Sequence, residues 1–393
     1  LLEEFESRHV GTRFRLYPQP SISDSDQEPE TVWVSSPAGS LGPGPSDDRM
    51  FVITPLGEKV PYGIGQDRYG RPFATFPPFR GPTAPPALPD DEGHFDYLDP
   101  GTPAFEEAHV FGCIRLVLDA WEGYFGQTIP WHFEQDLDRL EITLIPQYDN
   151  AQAGYGFLEL GSYFLEDKAL PFTLNFDIIA HEVGHLIIAS EVGPPTSQTA
   201  QGEYFGFHEA IADLVALLAC AHFDSVIDPL FEQTSGNLYV LNRLNRIGEL
   251  TDNKQIRIAS NGVHLSAFAE GWVDEHHLSL PLSGVMFDIL VDVFHELLLA
   301  RRLISPELED LADQVERVPE YQYLIQAGFD QAYPRDPDGF KEALLEARDY
   351  LGYALAGTLQ SLSPDYLNYD DVARTFLEVD RRLSGGDFAR LIV

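Results

Sequence analysis

The chain has 393 residues and a mass of 44.0 kDa, long enough to bury a sizeable core and to form two lobes. A formal net charge of −38 and a pI near 4.4 repel nucleic acid and anionic membrane surfaces, which excludes both as partners. Hydrophobic residues make up 44% and aromatic residues 12%, a globular composition, and no apolar run reaches the ~18 residues that membrane insertion needs.

Residues 1–100 read as a proline-rich extended arm lying over a catalytic domain, because proline fixes φ and removes a donor and so excludes long helices. Thr31–Val34 and Met50–Thr54 read as short strands, and Ser21–Glu30 as a mobile acidic loop. Tyr62, Tyr69, Phe73, Phe76 and Phe79 make the arm too aromatic for a disordered linker. Structural padding, a specificity element and a retained pro-segment are its possible roles. Pro103 to Phe125 reads as an amphipathic helix, with Val110, Ile114, Val117, Leu118, Trp121 and Phe125 at helical spacing. Leu140–Pro146 alternates as a strand, and Asn150 to Leu160 reads as a second one. An exposed strand there would let an extended peptide add itself by main-chain hydrogen bonds.

The chain is organised around Asn175–Ser190, which contains His181-Glu182-Val183-Gly184-His185. On a helix, residues four apart lie about 40° from each other, so both imidazoles leave one face and can grip one metal ion. Glu182 lies about 100° round from His181, beside the metal, where it can take a proton from an attacking water. The pentapeptide alone is not decisive. A second apolar helical segment, Gly206–Leu217, carries Glu209 and Asp213 on one face. A zinc site with two histidines needs a third protein ligand, and a ligand imidazole needs a carboxylate or carbonyl on its other nitrogen. Glu209 and Asp213 can fill those two roles.

Beyond Asp213 the pattern is mainly helical, over Val285–Ala300, Phe340–Leu359 and Asp370–Leu383. Gly248–Asn261 is polar and loop-like, and Asp336–Gly339 reads as a turn. His295 and Glu296 read as surface residues. His276 and His277 stand just before a helix N-terminus. Cys113 and Cys220 sit in apolar helical runs, as buried free thiols rather than a disulfide framework.

His-Glu-x-x-His followed by Glu209-Ala-Ile-Ala-Asp213 resembles the gluzincin metallopeptidases, in particular the thermolysin-like family. Asp177-Ile-Ile-Ala180, Asn150-Ala151 and the helix opening at Ala108-His109 resemble further stretches of that family. The resemblance runs from about residue 104 to the C-terminus. It implies an α+β, two-lobed gluzincin fold, with a strand-containing N-lobe, a helical C-lobe and the metal helix between them. The domains would be the arm at 1–100, an N-terminal catalytic lobe with the metal helix at 101–190, and a helical C-terminal lobe at 191–393. It further implies one Zn2+ per chain held by His181, His185 and Glu209, with Glu182 as catalytic base and Asp213 supporting a ligand histidine. Asn150 and Ala151 would bind substrate, and His276, with Ser279 three residues on, would hydrogen-bond the oxyanion in preference to His277.

Three departures mark a divergent branch. Cys220 stands where the family has an acidic calcium ligand, which makes calcium doubtful even with Asp177 in place. The tyrosine expected between the two zinc segments has no counterpart, and the spacings around Glu209 and Ser283 differ. The resulting expectation is a zinc-dependent peptidase acting on a peptide or protein substrate, with its oligomeric state left open. The alternative is a catalytically silent interaction protein on the same fold, which would have no reason to keep Glu182. The acidic surface, with only four lysines, and the start at Leu1 rather than Met point to a processed or truncated, secreted or extracellular protein.

Overall fold

The computed structural model describes residues 11–388, apart from 19–27, 67–68, 166–167, 239, 241–243, 245, 252–253, 260, 269–270 and 313–320. The chain is α+β and divides into two compact units, Leu1–Gly193 with Gly248–Ile256, and Pro194–Ile247 with Arg257–Val393.

Strands dominate the first unit. β1 (Thr12–Leu16) pairs antiparallel with β2 (Glu30–Val34), and β4 (Gly63–Gln66) with β5 (Pro72–Thr75). β3 (Met50–Ile53), β6 (Leu140–Leu144), β7 (Ala151–Gly154) and β8 (Phe157–Leu160) form one sheet in the order β3-β6-β8-β7. β3 and β8 run parallel to β6, and β7 is the antiparallel edge. The arm therefore contributes a strand to this sheet rather than only lying over it. Most of the loop read at Ser21–Glu30 falls outside the described residues.

The second strand read at Asn150–Leu160 is instead the hairpin β7–β8. Gly156 turns the chain at φ +83°, a conformation that side chains with a Cβ rarely adopt. A further hairpin follows, β9 (Ser162–Leu165) with β10 (Lys168–Pro171). Gly161 separates the two hairpins, and a Cβ there would lie 1.8 Å from the Tyr148 carbonyl oxygen.

β6 is buried along its whole length. One of its faces is apolar, with Leu140, Ile142 and Leu144. The other carries Glu141 and Thr143, continued by Glu159 of β8 and Gln152 of β7, which share that face through the pairing register. Alternation of this kind usually marks one wet face. Here the polar face is roofed by the arm, so its groups need internal partners. Tyr62 donates its hydroxyl to Glu141 at 2.6 Å, and Phe79 donates its backbone N–H to the same carboxylate at 2.9 Å. Lys59 pairs with Glu159, which also accepts the Tyr62 N–H at 2.8 Å and the Gln152 amide at 2.6 Å.

α1 (Pro103–Phe125) starts at the Thr102 cap, with Pro103 in its first turn, and ends at Gly126 with φ +68°. It is buried nearly all round rather than amphipathic. The polar residues on its covered side hold the arm. Glu107 accepts from Thr54 at 2.7 Å and Ala87 at 2.8 Å, while Asp119 accepts from the Ser35 N–H and hydroxyl and pairs with Arg115 at 2.8 Å. α2 (Phe176–Glu191) packs against α1 and against β7 and β8.

The second unit is a helical array of α3 (Gly202–Cys220), α4 (Asp224–Thr234), α5 (Glu275–Ala300), α6 (Pro306–Ala312), α7 (Gln322–Ala332), α8 (Pro337–Leu359) and α9 (Tyr369–Leu383). α5 packs on α3 and α8, and α9 packs on α8. At the α3–α5 crossing Gly206 is required, because a Cβ there would meet the Tyr369 hydroxyl at 2.5 Å and Leu278 at 2.9 Å.

Four expectations change in the C-terminal half. Gly248–Asn261 is not a loop but contains most of the hairpin β11 (Arg246–Thr251) and β12 (Lys254–Ile258). Asp336–Gly339 is a helix start rather than a turn, since Asp336 caps α8 by accepting from the Gly339 N–H at 3.0 Å. His295 is a core residue, 2% exposed, and burial pushes its imidazole down to about 4. His276 and His277 lie inside the first turn of α5, not ahead of the helix. The helix runs on through Pro281, whose neighbouring carbonyls find side-chain donors. Ser279 donates to His276 O at 2.7 Å, Tyr369 to Leu278 O at 2.7 Å and Asn261 to Leu280 O at 3.0 Å. Both cysteines are free and buried, and among the described residues no single helix is long and apolar enough to cross a membrane.

Candidate metal centre

α2 begins where Asn175 accepts the Ile178 N–H at 3.2 Å. Its approach is fixed from α1. His109 donates Nδ1–H to the Thr173 carbonyl at 2.8 Å and accepts the Tyr17 N–H on Nε2 at 3.0 Å. Those two bonds require a neutral imidazole, and full burial pushes its pKa down to about 4. The entry to α2 is thus tied to a helix that is itself buried nearly all round.

One and a half turns into α2, His181, Glu182 and His185 come together. Their candidate ligand atoms all lie within 4.8 Å of one another, and the two imidazoles meet edge to face at 4.6 Å between centroids. His181 is 8% exposed and Glu182 7%, with His185 more open. Two nitrogens held by zinc at bonds of ~2.0–2.1 Å in a tetrahedron sit roughly 3.3 Å apart. Two imidazoles leaving one helical face with their ligand atoms within 4.8 Å of each other are compatible with that requirement. The donor set, two neutral nitrogens beside a carboxylate, suits a borderline cation such as zinc. Asp177, in the first turn of α2, is buried.

The edge strand β7 packs against α2. Ala151 is its first residue, paired with Leu160, and Asn150 precedes it, exposed, with its amide donating to the Tyr148 hydroxyl at 3.2 Å. Tyr148 was not singled out by sequence reasoning. Burial raises its pKa, the Asn150 amide offsets part of that rise, and the Glu159 and Glu182 carboxylates each add a smaller increase. Tyr148 therefore lies within the electrostatic reach of Glu182. The one local signal was its place two residues before Asn150, after the strand-ending Pro146.

In the second unit α3 carries Glu209 and, one turn on, the fully buried Asp213. α5 brings His276 to Glu209, with Nε2 to Oε2 at 3.4 Å, and its Nδ1 lies 3.9 Å from Asp274. Asp274 caps α5 by accepting the His277 N–H at 2.8 Å. The His277 ring packs on Phe268 at 4.8 Å instead. Within the first unit His181, Glu182 and His185 come together, and within the second His276 lies beside Glu209, one turn before Asp213.

No protein-family model matches the sequence, and no curated protein matches it. Among solved structures, the chain is distantly similar to the precursor of protealysin, a metalloproteinase from Serratia proteamaculans. The likeness covers 80% of this chain and 81% of that one, at 14% identity and a TM-score of 0.49, and at that level it carries no argument about activity.

Proposed function

We propose that this chain is a zinc-dependent peptidase that hydrolyses peptide bonds in peptides or proteins. The observation that carries the reading is the clustering of His181, Glu182 and His185 on α2, with ligand atoms within 4.8 Å beside an edge strand. His181 and His185 would hold the ion and Glu209 would be the third ligand, with Asp213 supporting a ligand histidine. Bound there, zinc would act as a Lewis acid toward the scissile carbonyl and the attacking water.

The remaining steps belong to the protein. An extended substrate laid along β7 would offer its main chain to the edge, with Asn150 and Ala151 in contact. Glu182 would take the proton of the attacking water and deliver it to the leaving amine. His276 would donate a hydrogen bond to the oxygen on which charge develops. We place the protein in a secreted or extracellular setting on its acidic, lysine-poor composition. The test is hydrolysis of casein or a quenched peptide, with and without a zinc chelator. Cleavage that the chelator abolishes and added zinc restores supports the reading. Chelator-insensitive cleavage, or none at all, opposes it.

A further inference from the structure

Beside the start of β7 lies a cleft of about 690 Å³, contained wholly in the first unit. That volume is within the usual range for a small-ligand site, ~300–1,000 Å³. One wall is the arm at 55–61, and the other is the end of β6 with the strap 144–148. Both walls are anchored. The arm is held by Leu56 N–H to Pro82 O at 2.9 Å, by the Tyr62 N–H to Glu159 at 2.8 Å and by the buried Lys59–Glu159 pair. The strap is held by Ser162 N–H to Tyr148 O at 2.7 Å and Gly161 N–H to Asn150 O at 3.0 Å.

The lining has a definite chemistry. Pro55, Val60, Pro61, Ile145 and Pro146 supply apolar walls, and the exposed Glu58 supplies a carboxylate. The cation of the lining, Lys59, is neutralised by Glu159 and stacked over Tyr62 at 3.3 Å. No ion pair to Glu58 occurs among the described residues. The net charge of −38 adds to the preference for a positive guest. Tyr148 joins the cleft to the strand, since it lines the former and its hydroxyl accepts from the Asn150 amide just ahead of β7.

We infer that this cleft is a subsite for a long basic side chain, Arg or Lys, of a peptide bound along β7, with Glu58 as its charge partner. The inference rests on the peptidase reading for the peptide's path, and it makes the proline-rich arm a determinant of specificity. The apolar walls would take the methylene stem and Glu58 the cationic head.

Quenched peptides of one sequence, with a single Arg, Leu or Glu walked through the positions flanking the cleaved bond, test it. On the unaltered protein, Arg at one position should lower KM by about fivefold or more relative to Glu there, an effect of the size expected for a rim charge. Glu58→Lys, at an exposed site, should remove or invert that ratio without lowering the thermal midpoint. A ratio flat at every position, or one unchanged by Glu58→Lys, overturns the subsite. If no peptide is cleaved the peptidase reading fails separately. Binding of the Arg and Glu peptides to the same two proteins, followed by fluorescence anisotropy, then decides the subsite on its own.

Discussion

The two units differ in how they use buried titratable groups. The first buries several of them on polar partners, Lys59 with Glu159, Arg115 with Asp119, and Glu107 and His109, beside exposed pairs such as Arg15 with Glu28. Among the described residues, the ion pairs of the helical unit mostly reach solvent, as with Arg301 to Glu342 and Glu346, and Lys341 to Asp224 and Asp228. Arg348, Asp213 and Asp380 are exceptions, all buried, with Arg348 donating to Ala221 O at 3.0 Å. The reason lies in the backbone. A helix satisfies its own N–H and C=O groups, so its side chains are left to pack. An irregular, proline-rich arm has donors and acceptors to place, and buried carboxylates and imidazoles serve as their fasteners. α2, with the His181–Glu182–His185 cluster, stands in the unit that depends on such fasteners.

That contrast can be broken first at Lys59. Lys59→Met leaves Glu159 charged and buried without its cation, and it should destabilise the first unit by ~3–5 kcal/mol. Urea unfolding measures this, and a change below ~1 kcal/mol would show that the roof over the polar face is not a fastener.

Acid should act next, through histidine. His109 in the first unit and His295 in the second are both held near a pKa of about 4, below the ordinary 6.5. The unfolded chain binds the proton more readily, so their contribution is complete above pH ~6.5 and is lost as the pH falls toward ~4. Each is worth about 3 kcal/mol over that window. His109→Gln should flatten the acid limb of stability against pH. An unchanged slope would remove His109 from the account.

How much of this was readable from residues alone follows the same division. The helices of the second unit follow the 3.6 period closely, with Phe340–Leu359 found at Pro337–Leu359 and Asp370–Leu383 at Tyr369–Leu383. The helix read at Val285–Ala300 begins instead at Glu275, because nothing local showed that Ser279, Asn261 and Tyr369 would serve carbonyls around Pro281. Hairpins were the harder case. A four-residue strand leaves little periodic signal, and the turn at Tyr155-Gly156 was absorbed into one longer strand. The clustering of His181, Glu182 and His185 was legible because helical spacing alone brings them together. The partners of Glu141, Glu159 and His109 lie some sixty to a hundred residues away and leave no local pattern.

His276→Ala sharpens the comparison from the helical side. The residue sits beside Glu209 at 3.4 Å and is half exposed, so stability should hold while turnover falls roughly a hundredfold. His277, packed on Phe268, should not reproduce that loss of turnover when changed to Ala. Equal losses at both positions would show that the first turn of α5 acts through folding instead. The smallest effect is expected at Arg301, whose partners Glu342 and Glu346 are solvent-exposed. Arg301→Ala should cost ~0–1 kcal/mol and less in high salt, as urea unfolding would record.

The most direct measurement of the central claim is metal content. It compares the gently purified chain with its Glu182→Gln and His185→Ala forms. About one zinc per chain should be found in the unaltered protein. It should persist in Glu182→Gln, where hydrolysis falls by roughly 10²–10⁴-fold, and be lost in His185→Ala. No zinc in the unaltered chain, or full zinc retention by His185→Ala, would contradict the assignment of α2 as a metal helix.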